Sequence, residues 1–354
     1  MDNVNCVQQA DVYPDKAERK QIRKQYNKIG FVILINILIF NVIGIAVLYG
    51  IAALSAESFT IAAINKAKSE MLSNSFVFVL FCIGIPICSE AFVILLGSRI
   101  MGINLKKLFN FDGFNGNSVV KTATVSLGLQ TATVIIASLL MAIVGLFGGE
   151  VIQPDFTLDD PSLPANIFLY MYVCLLGPVL EELLYRGVLL QSLRKYNERF
   201  AIVVSAMIFG MMHQNPTQCI LGMLVGLPLA MITIKSGSII PAIITHIIVN
   251  TSNVVFALLI MSDNNVYENM VYENILPKDG LPLLGIILSL LWRFGFLFAG
   301  IVVGVVALAK GLKMKHPTPA GKNRAWPVFM TSPIWIIVFG VYIYFVTFGS
   351  FTFS

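Results

Sequence analysis

Residues 179–189 read VLEELLYRGVL and place three charged side chains, Glu181, Glu182 and Arg186, inside an apolar segment. The segment around them, residues 165–193, is long enough to span a lipid bilayer as one helix. A single charge at mid-bilayer costs roughly 2.5–3.5 kcal/mol on the insertion scale, so such residues are rare unless they serve a function. This stretch therefore predicts a membrane helix that carries a functional site.

The composition of the whole chain is that of an integral membrane protein. Of its 354 residues, 57% are hydrophobic and only 12% are charged, and the mean hydropathy is +0.81. Soluble domains carry about 25% charged residues. The net charge of +5 fits an excess of Lys and Arg in cytoplasmic loops and does not indicate nucleic-acid binding. The five cysteines form no CxxC pair and predict neither a disulfide framework nor a thiolate metal site.

Nine apolar segments approach the roughly 20 residues that a membrane-spanning helix needs. They are residues 29–54, 76–96, 120–147, 165–193, 200–212, 219–234, 239–261, 281–308 and 332–348. The fifth and sixth are short, so eight spans is the alternative count. We therefore predict an all-α fold, a polytopic transmembrane helical bundle of eight or nine spans.

Basic and acidic residues alternate between the connections of these segments. Lys and Arg concentrate in the N-terminal segment, near residues 99–121 and 194–199, and in the loop 310–324, whereas acidic residues gather near 150–160 and 263–279. Lys and Arg favour the cytoplasmic side of a membrane. The pattern predicts a multi-pass protein of the cell (plasma) membrane with a cytoplasmic N-terminus and an external C-terminus.

The helical geometry separates the two glutamates. A helix turns about 100° per residue, so Glu182 and Arg186 share a face and can pair, whereas Glu181 points elsewhere. A carboxylate beside a cation is a poor base. We therefore expect Glu181 to act as general base and Glu182 with Arg186 to hold it. The alternative is a structural polar network that locks helices together.

Two of the three histidines fall in or at the end of apolar segments. His213 closes IFGMMH, and His246 lies in PAIITHIIVNTSN, where Asn250 follows four residues later on the same helical face. His316 lies in the basic loop and is expected to be solvated. With the glutamates, these residues supply a base, a proton carrier and oxyanion donors, which are the parts of a hydrolytic site.

Three short patterns occur in order: EELLYRG at 181–187, FGMMH at 209–213 and HIIVN at 246–250. They resemble the EExxxR, FxxxH and HxxxN motifs of the CPBP family, the CAAX-protease and bacteriocin-processing membrane proteases, also called the Abi family. The matching region covers about residues 166–256. The resemblance implies an intramembrane endopeptidase of helical fold that acts on peptide or membrane-protein substrates at the lipid bilayer.

The resemblance also implies a role for each matching residue. Glu181 would be the glutamate base, and His213 would help it to activate a water molecule. His246 and Asn250 would stabilise the oxyanion of the tetrahedral intermediate.

The resemblance gives Glu182 and Arg186 a supporting role and leaves the cofactor open. Glu181, His213 and His246 could supply three metal ligands with a free fourth position, as catalytic zinc prefers. The HExxH zinc motif is absent. A metal-free mechanism, in which the glutamate holds the water directly, fits the same residues.

These observations divide a single membrane domain into four parts. We expect a basic cytoplasmic N-terminal segment at 1–28, N-terminal transmembrane helices at 29–164, a CPBP-like catalytic core at 165–258 and C-terminal transmembrane helices at 259–354. The apolar segment 29–54 is longer than that of a signal peptide, so we expect it to stay in the membrane.

Two further charges and two other function classes complete the alternatives. Glu90, in ICSEAFVILL, and Arg293, in SLLWRFGFLF, could pair with each other, or Arg293 could snorkel, or either could bind substrate. A catalytically silent scaffold or bacteriocin-immunity protein of the same fold is the alternative function. A proton-coupled transporter is a third class, although the chain shows no inverted repeat to support it.

Overall fold

The computed structural model describes residues 16–151, 163–260, 280–309, 325–348 and 351–353, and these residues are almost entirely helical. The predicted all-α membrane bundle is therefore confirmed. Most of the acidic loops at 150–160 and 263–279, the whole basic loop 310–324 with His316, and residues 1–15 lie outside the described residues.

The described residues as far as residue 151 form five helices and one short strand. They are α1 (Lys16–Leu38), α2 (Gly44–Ser55), α3 (Ile61–Leu72), α4 (Ser75–Met101), α5 (Gly116–Leu146) and β1 (Gly149–Val151). A π-helical turn, Ile39–Ile43, joins α1 to α2, and a 3₁₀ turn, Leu105–Leu108, follows α4. The helix α3 lies in a connection where no helix is predicted.

Residues 163–193 form one continuous helix, called here the glutamate helix. It consists of α6 (Leu163–Met171), a π-helical segment Tyr172–Leu176, α7 (Gly177–Glu182), a second π-helical segment Leu183–Leu189 and α8 (Leu190–Leu193). The remaining elements are α9 (Glu198–Met211), α10 (Pro216–Ser236), α11 (Ile240–Ile260), α12 (Gly280–Ala309), α13 (Ala325–Met330), α14 (Pro333–Phe348) and β2 (Phe351–Phe353).

Each of the nine predicted spans contains a helix, but the helices differ in reach. Within the described ranges, six helical stretches are long and apolar enough to cross a membrane, and Ile240–Phe256 and Pro333–Thr347 are shorter apolar helices. The helix α9 has 14 residues, or ~21 Å at 1.5 Å per residue, against a hydrocarbon core of about 30 Å. Alone, α9 is too short to cross the bilayer.

Hydrogen bonds between distant loops place several helix ends on one face of the bundle. The N-terminal part of α1 meets the turn before α14, the end of α4 meets the turn before α9, and the 3₁₀ turn meets the start of α11. The bonded pairs are Arg23 with Thr331, Lys195 with Met101, and Ile239 with Leu108. These ends would therefore lie on the same side of a membrane.

The opposite face is marked by a small sheet between residues that are about 200 positions apart. Strand β1 pairs antiparallel with β2, with Glu150 opposite Thr352. The two strands can meet only if the chain crosses the membrane an even number of times between them. The described part of the chain has six such helices between the strands, and α9 is counted among them because it runs from one face of the bundle to the other although it is shorter than the hydrocarbon core: the glutamate helix, α9, α10, α11, α12 and α14.

The last helix belongs to the core of the bundle. Trp335 Nε1 of α14 donates to the carbonyl oxygen of Tyr26 in α1 at 2.9 Å, and the Phe329 ring of the preceding helix α13 lies against the Phe200 ring of α9 at a centroid distance of 5.1 Å. Tyr342, further along α14, is also buried. The C-terminal helix is therefore packed against α1 and α9, close to the helices that carry the charged residues.

Candidate active site

The two glutamates lie in a short α-helical stretch between two π-helical segments of the glutamate helix. Pro178 has no N–H to donate, and a Cβ on Gly177 would lie 3.0 Å from the carbonyl oxygen of Tyr172. These two residues permit the wide turn that precedes the glutamates. Such π-helical turns are often found at functional sites.

Arg186 and Glu182 form a fully buried ion pair. Arg186 Nε lies 3.2 Å from Glu182 Oε2, and both side chains are 0% exposed. The two atoms are not aligned for a hydrogen bond, so the contact is one of charge. Arg186 Nη2 also donates to the carbonyl oxygen of Gly226 in α10 at 3.3 Å. The pairing predicted from the four-residue spacing is confirmed.

His246 lies between the two glutamates. Its Nδ1 is 3.1 Å from Glu182 Oε1, whereas its Nε2 is 3.6 Å from Glu181 Oε2, which is too long for a good hydrogen bond. An ionised carboxylate can only accept, so Nδ1 carries the hydrogen in this contact. Glu182 therefore orients the ring, and Nε2 faces Glu181, whose side chain is 14% exposed.

Phe209 lies at the centre of the charged cluster, and its role was not predicted. The Arg186 guanidinium lies over its ring, 4.2 Å from the centroid. Three other rings meet it edge-on or tilted, with centroids 5.4 to 5.5 Å away: Tyr185, His213 and His246. The signal was present in the sequence as the first residue of FGMMH. Its spacing to His213 does not reveal that two other helices meet the same ring.

His213 is held by α9 rather than by the glutamates. Its Nδ1 lies 3.1 Å from the Phe209 carbonyl oxygen, and its side chain is partly buried. Gln214 follows with φ +56°, a left-handed conformation that is uncommon for a non-glycine residue. Among the described residues, no hydrogen bond or ion pair joins His213 to Glu181. The tight turn sets the position of His213 beside Phe209.

Asn250 contacts the glutamate helix at the π-helical segment. Its Nδ2 donates to the carbonyl oxygen of Val173 at 2.9 Å. The amide nitrogen carries two hydrogens, so a second one can serve another acceptor. Asn250 therefore ties α11 to the wide turn just before Glu181.

The residues named as metal ligands do not form a three-ligand set. Both nitrogens of His246 face carboxylates, and His213 contacts a backbone carbonyl. The described part of the chain holds no group of three or more His, Cys, Asp or Glu side chains arranged for a metal ion. The side chains as placed therefore do not fit the zinc site that the spacing allowed.

Glu90 and Arg293 do not pair with each other. In the described residues Glu90 forms no ion pair, and Arg293 Nε donates to Ser289 Oγ within α12 at 3.2 Å. Glu90 is instead buried in α4, a helix that packs against the glutamate helix. The sequence showed that Glu90 lies in an apolar segment, but it did not show whether Glu90 pairs with another charge.

Comparison with known protein families gives a match to part of the chain. Residues 163–252, about a quarter of the chain, match the family described as type II CAAX prenyl endopeptidase Rce1-like. The match contains all six candidate site residues and confirms the resemblance to CAAX proteases. No curated protein and no solved structure matches the chain. At the level of the family, the match supports an intramembrane protease.

Proposed function

We propose that the protein is an intramembrane endopeptidase in which Glu181 takes a proton from the attacking water. One observation carries this proposal: a single histidine joins two unequal glutamates. Glu182 is sealed in an ion pair with Arg186, whereas Glu181 is partly exposed and faces the free nitrogen of His246. A general base must reach its water, while the groups that orient it should stay fixed.

The reaction follows from these positions. Glu181 accepts a proton as the water oxygen bonds to the scissile carbonyl carbon, and the carbonyl oxygen gains a negative charge. The C–N bond then breaks, and the proton passes from Glu181 to the leaving nitrogen. His246 Nε2, 3.6 Å from Glu181, can share this proton after a small movement. Glu182 keeps the His246 ring oriented through Nδ1.

His213 and Asn250 complete the proposed site. The contact of His213 Nδ1 with the Phe209 carbonyl leaves its Nε2 for the water or the substrate. The second N–H of Asn250 would stabilise the oxyanion, a contribution worth roughly 10²–10³ in kcat at comparable sites. The substrate would be a peptide or a membrane-associated protein that reaches the site from the lipid or the membrane surface.

The experiment that tests this proposal compares the membrane proteomes of two cell lines. One carries the native protein and the other Glu181→Gln at equal abundance, and peptide termini are quantified in both. We expect some termini to disappear in the variant while its thermal unfolding is nearly unchanged, because Glu181 makes a single long contact to His246.

The matched control is Glu70→Gln, which removes an exposed carboxylate paired with Lys66 on α3. It should leave every peptide terminus unchanged. Identical termini in all three cell lines, together with full complementation of a deletion by Glu181→Gln, would favour the silent scaffold or immunity protein instead.

A further inference from the structure

A pocket opens at the end of α4, away from the charged cluster of the candidate active site. Its volume is about 530 Å³, and residues 98–99 and 102–106 line it. It is called here the basic pocket. The chain turns there because Gly102 ends α4 in a left-handed conformation, φ +63°, which glycine adopts without steric cost. The pocket therefore lies between the last turn of α4 and the 3₁₀ turn Leu105–Leu108.

Three side chains that line the basic pocket are donors without a protein partner. Within the described parts of the chain, the side chains of Arg99, Asn104 and Lys106 form no hydrogen bond and no ion pair. Asn104 precedes the 3₁₀ turn, where an asparagine often caps the first N–H groups, yet its side chain makes no such bond. None of the described lining residues is acidic. The pocket therefore offers two positive charges and an amide donor to an anion.

A third cation lies beside the basic pocket. Lys195 Nζ donates to the carbonyl oxygen of Met101, the last residue of α4, at 3.4 Å, and Lys195 is exposed. The negative end of the α4 dipole is thus covered by a lysine rather than presented to the pocket. Positive charge consequently dominates this end of α4.

The same connection also carries apolar groups at the surface. Ile103 and Leu105 line the basic pocket and are only half-buried, and the rings of Phe109 and Phe111 are 44% and 69% exposed. The segment is held in place, because Asn110 Nδ2 donates to a carbonyl oxygen in the α10–α11 turn at 3.2 Å. Exposed apolar groups next to lysines are typical of a segment at the boundary between lipid headgroups and acyl chains.

We propose that the basic pocket binds the headgroup of a phospholipid with a net negative charge. Arg99 and Lys106 pair with the phosphate oxygens, and Asn104 Nδ2 donates to one of them. The glycerol and the first methylene groups of the lipid cover Ile103 and Leu105.

Two features favour an anionic lipid over other phosphates. A free phosphate ion would leave the apolar part of the lining in water, and a zwitterionic headgroup would bring its own cation towards Arg99 and Lys106. The charge pattern predicts that this face is cytoplasmic, and anionic lipids concentrate in the cytoplasmic leaflet, where basic pockets between membrane helices bind them.

The basic pocket is in contact with the glutamate helix through its lining. A Cβ added to Gly187, the residue after Arg186, would lie 3.2 Å from Leu105 Cδ2. A lipid that covers Leu105 holds the 3₁₀ turn against this helix. Because a ligand that binds only the folded state stabilises it, the lipid should raise the unfolding temperature. Lipid binding at this pocket does not depend on the proposed peptidase function.

The test titrates the purified full-length protein in an uncharged detergent with dioctanoyl phosphatidylglycerol and follows Tm. We expect a saturable rise in Tm for the native protein. The double variant Arg99→Gln with Lys106→Gln should bind about thirtyfold more weakly, because each Lys or Arg at a membrane surface contributes roughly fivefold. Without lipid its Tm should match that of the native protein, since both side chains lack protein partners.

Two further variants keep the test decisive. Lys121→Gln with Lys235→Gln removes the same charge from exposed residues that do not line the pocket, and this control should keep the native affinity. Asn104→Leu retains both cations of the pocket and removes the amide donor, so its affinity should fall roughly fivefold. It decides the matter if the pocket double variant does not fold.

Several results would overturn the proposal. Equal affinities of the native protein and both double variants would show that phosphatidylglycerol responds to general surface charge. An equal rise in Tm with dioctanoyl phosphatidylcholine would show that the charge of the headgroup is not recognised. An equal rise with inorganic phosphate would make the pocket a site for the free ion, and no rise with phosphatidylglycerol would show that the pocket does not bind this lipid.

Discussion

Arg186 shows how much one buried side chain contributes to this site. Its guanidinium meets the Glu182 carboxylate, the Gly226 carbonyl and the face of the Phe209 ring. These contacts join the glutamate helix to α9 and α10. A buried guanidinium of this kind stabilises the fold chiefly by preventing a worse state, in which the carboxylate would be buried alone.

Arg186→Met should therefore destabilise the protein by about 3–5 kcal/mol, because it leaves Glu182 buried without its cation. Thermal unfolding in detergent measures this loss. The double variant Arg186→Met with Glu182→Gln removes both charges and should recover most of the stability, but not the activity. A double variant no more stable than Arg186→Met would contradict the charge argument.

Phe209 should matter more for catalysis than for stability. Phe209→Leu keeps an apolar side chain but removes the ring that contacts Arg186, His213 and His246, a loss of roughly 0.5–2 kcal/mol for the cation–π contact. We expect kcat to fall by about tenfold, since 1.4 kcal/mol corresponds to that factor. Phe256→Leu, whose ring packs on Trp292, is the control and should keep its rate. If both variants had the same turnover rate, Phe209 would have no role in catalysis.

At the scale of helices, the position of His213 depends on how closely α9 and α10 approach each other. A Cβ added to Gly222 would lie 2.7 Å from the Cα of Gly210, which is closer than such atoms come without a shift. The two glycines therefore allow the backbones to touch, as small residues do between membrane helices. The same hairpin supplies the carbonyl of Gly226 to Arg186.

Gly222→Ala should force these two helices apart and destabilise the protein by about 1–3 kcal/mol. Its activity should fall as well, because the Gly226 carbonyl moves away from Arg186. The control is Gly84→Ala in α4, where an added Cβ meets nothing within 4 Å and helix propensity alone favours alanine. Unfolding curves and turnover of the two variants test the contact. Equal stability of the two would show that the helices accommodate the methyl group.

At the scale of the whole molecule, the exposed apolar surface agrees with a protein that faces lipid. The 18-residue apolar window of α12 is only 11% buried inside the bundle, and side chains such as Leu291 and Phe298 point outward. A soluble protein rarely exposes so continuous an apolar surface. The helix α12 therefore presents most of its apolar surface to lipid.

The two faces of the bundle predict a labelling pattern. Single cysteines at Glu150 and Thr352, in a background without native cysteines, should react with an impermeant reagent from the same side of the membrane, because β1 pairs with β2. Cysteines at Lys106 and Thr331 should react from the other side. With cysteines at both 150 and 352, oxidation should crosslink the strands. If positions 331 and 352 were both labelled from one side, the chain would have to cross the membrane a different number of times between them, and this arrangement would be wrong.

Several features of the site could be predicted because they depend on spacing within one helix. The Glu182–Arg186 pair follows from a separation of four residues, and the difference between Glu181 and its neighbour follows from the helical turn. The position of each span follows from its length of apolar sequence. Such local signals do not depend on how the neighbouring helices pack.

Hydropathy and spacing are properties of single segments, so they were enough to predict a helical membrane protein, the positions of its apolar helices and the residues that resemble protease motifs. Only the packing of the helices shows that His246 lies between the two glutamates, that Phe209 touches four side chains of the site, and that Arg293 bonds to Ser289 rather than to Glu90. Contacts between helices depend on which faces meet. Packing, π-helical turns and glycine contacts set those faces, and no periodicity along one segment records them.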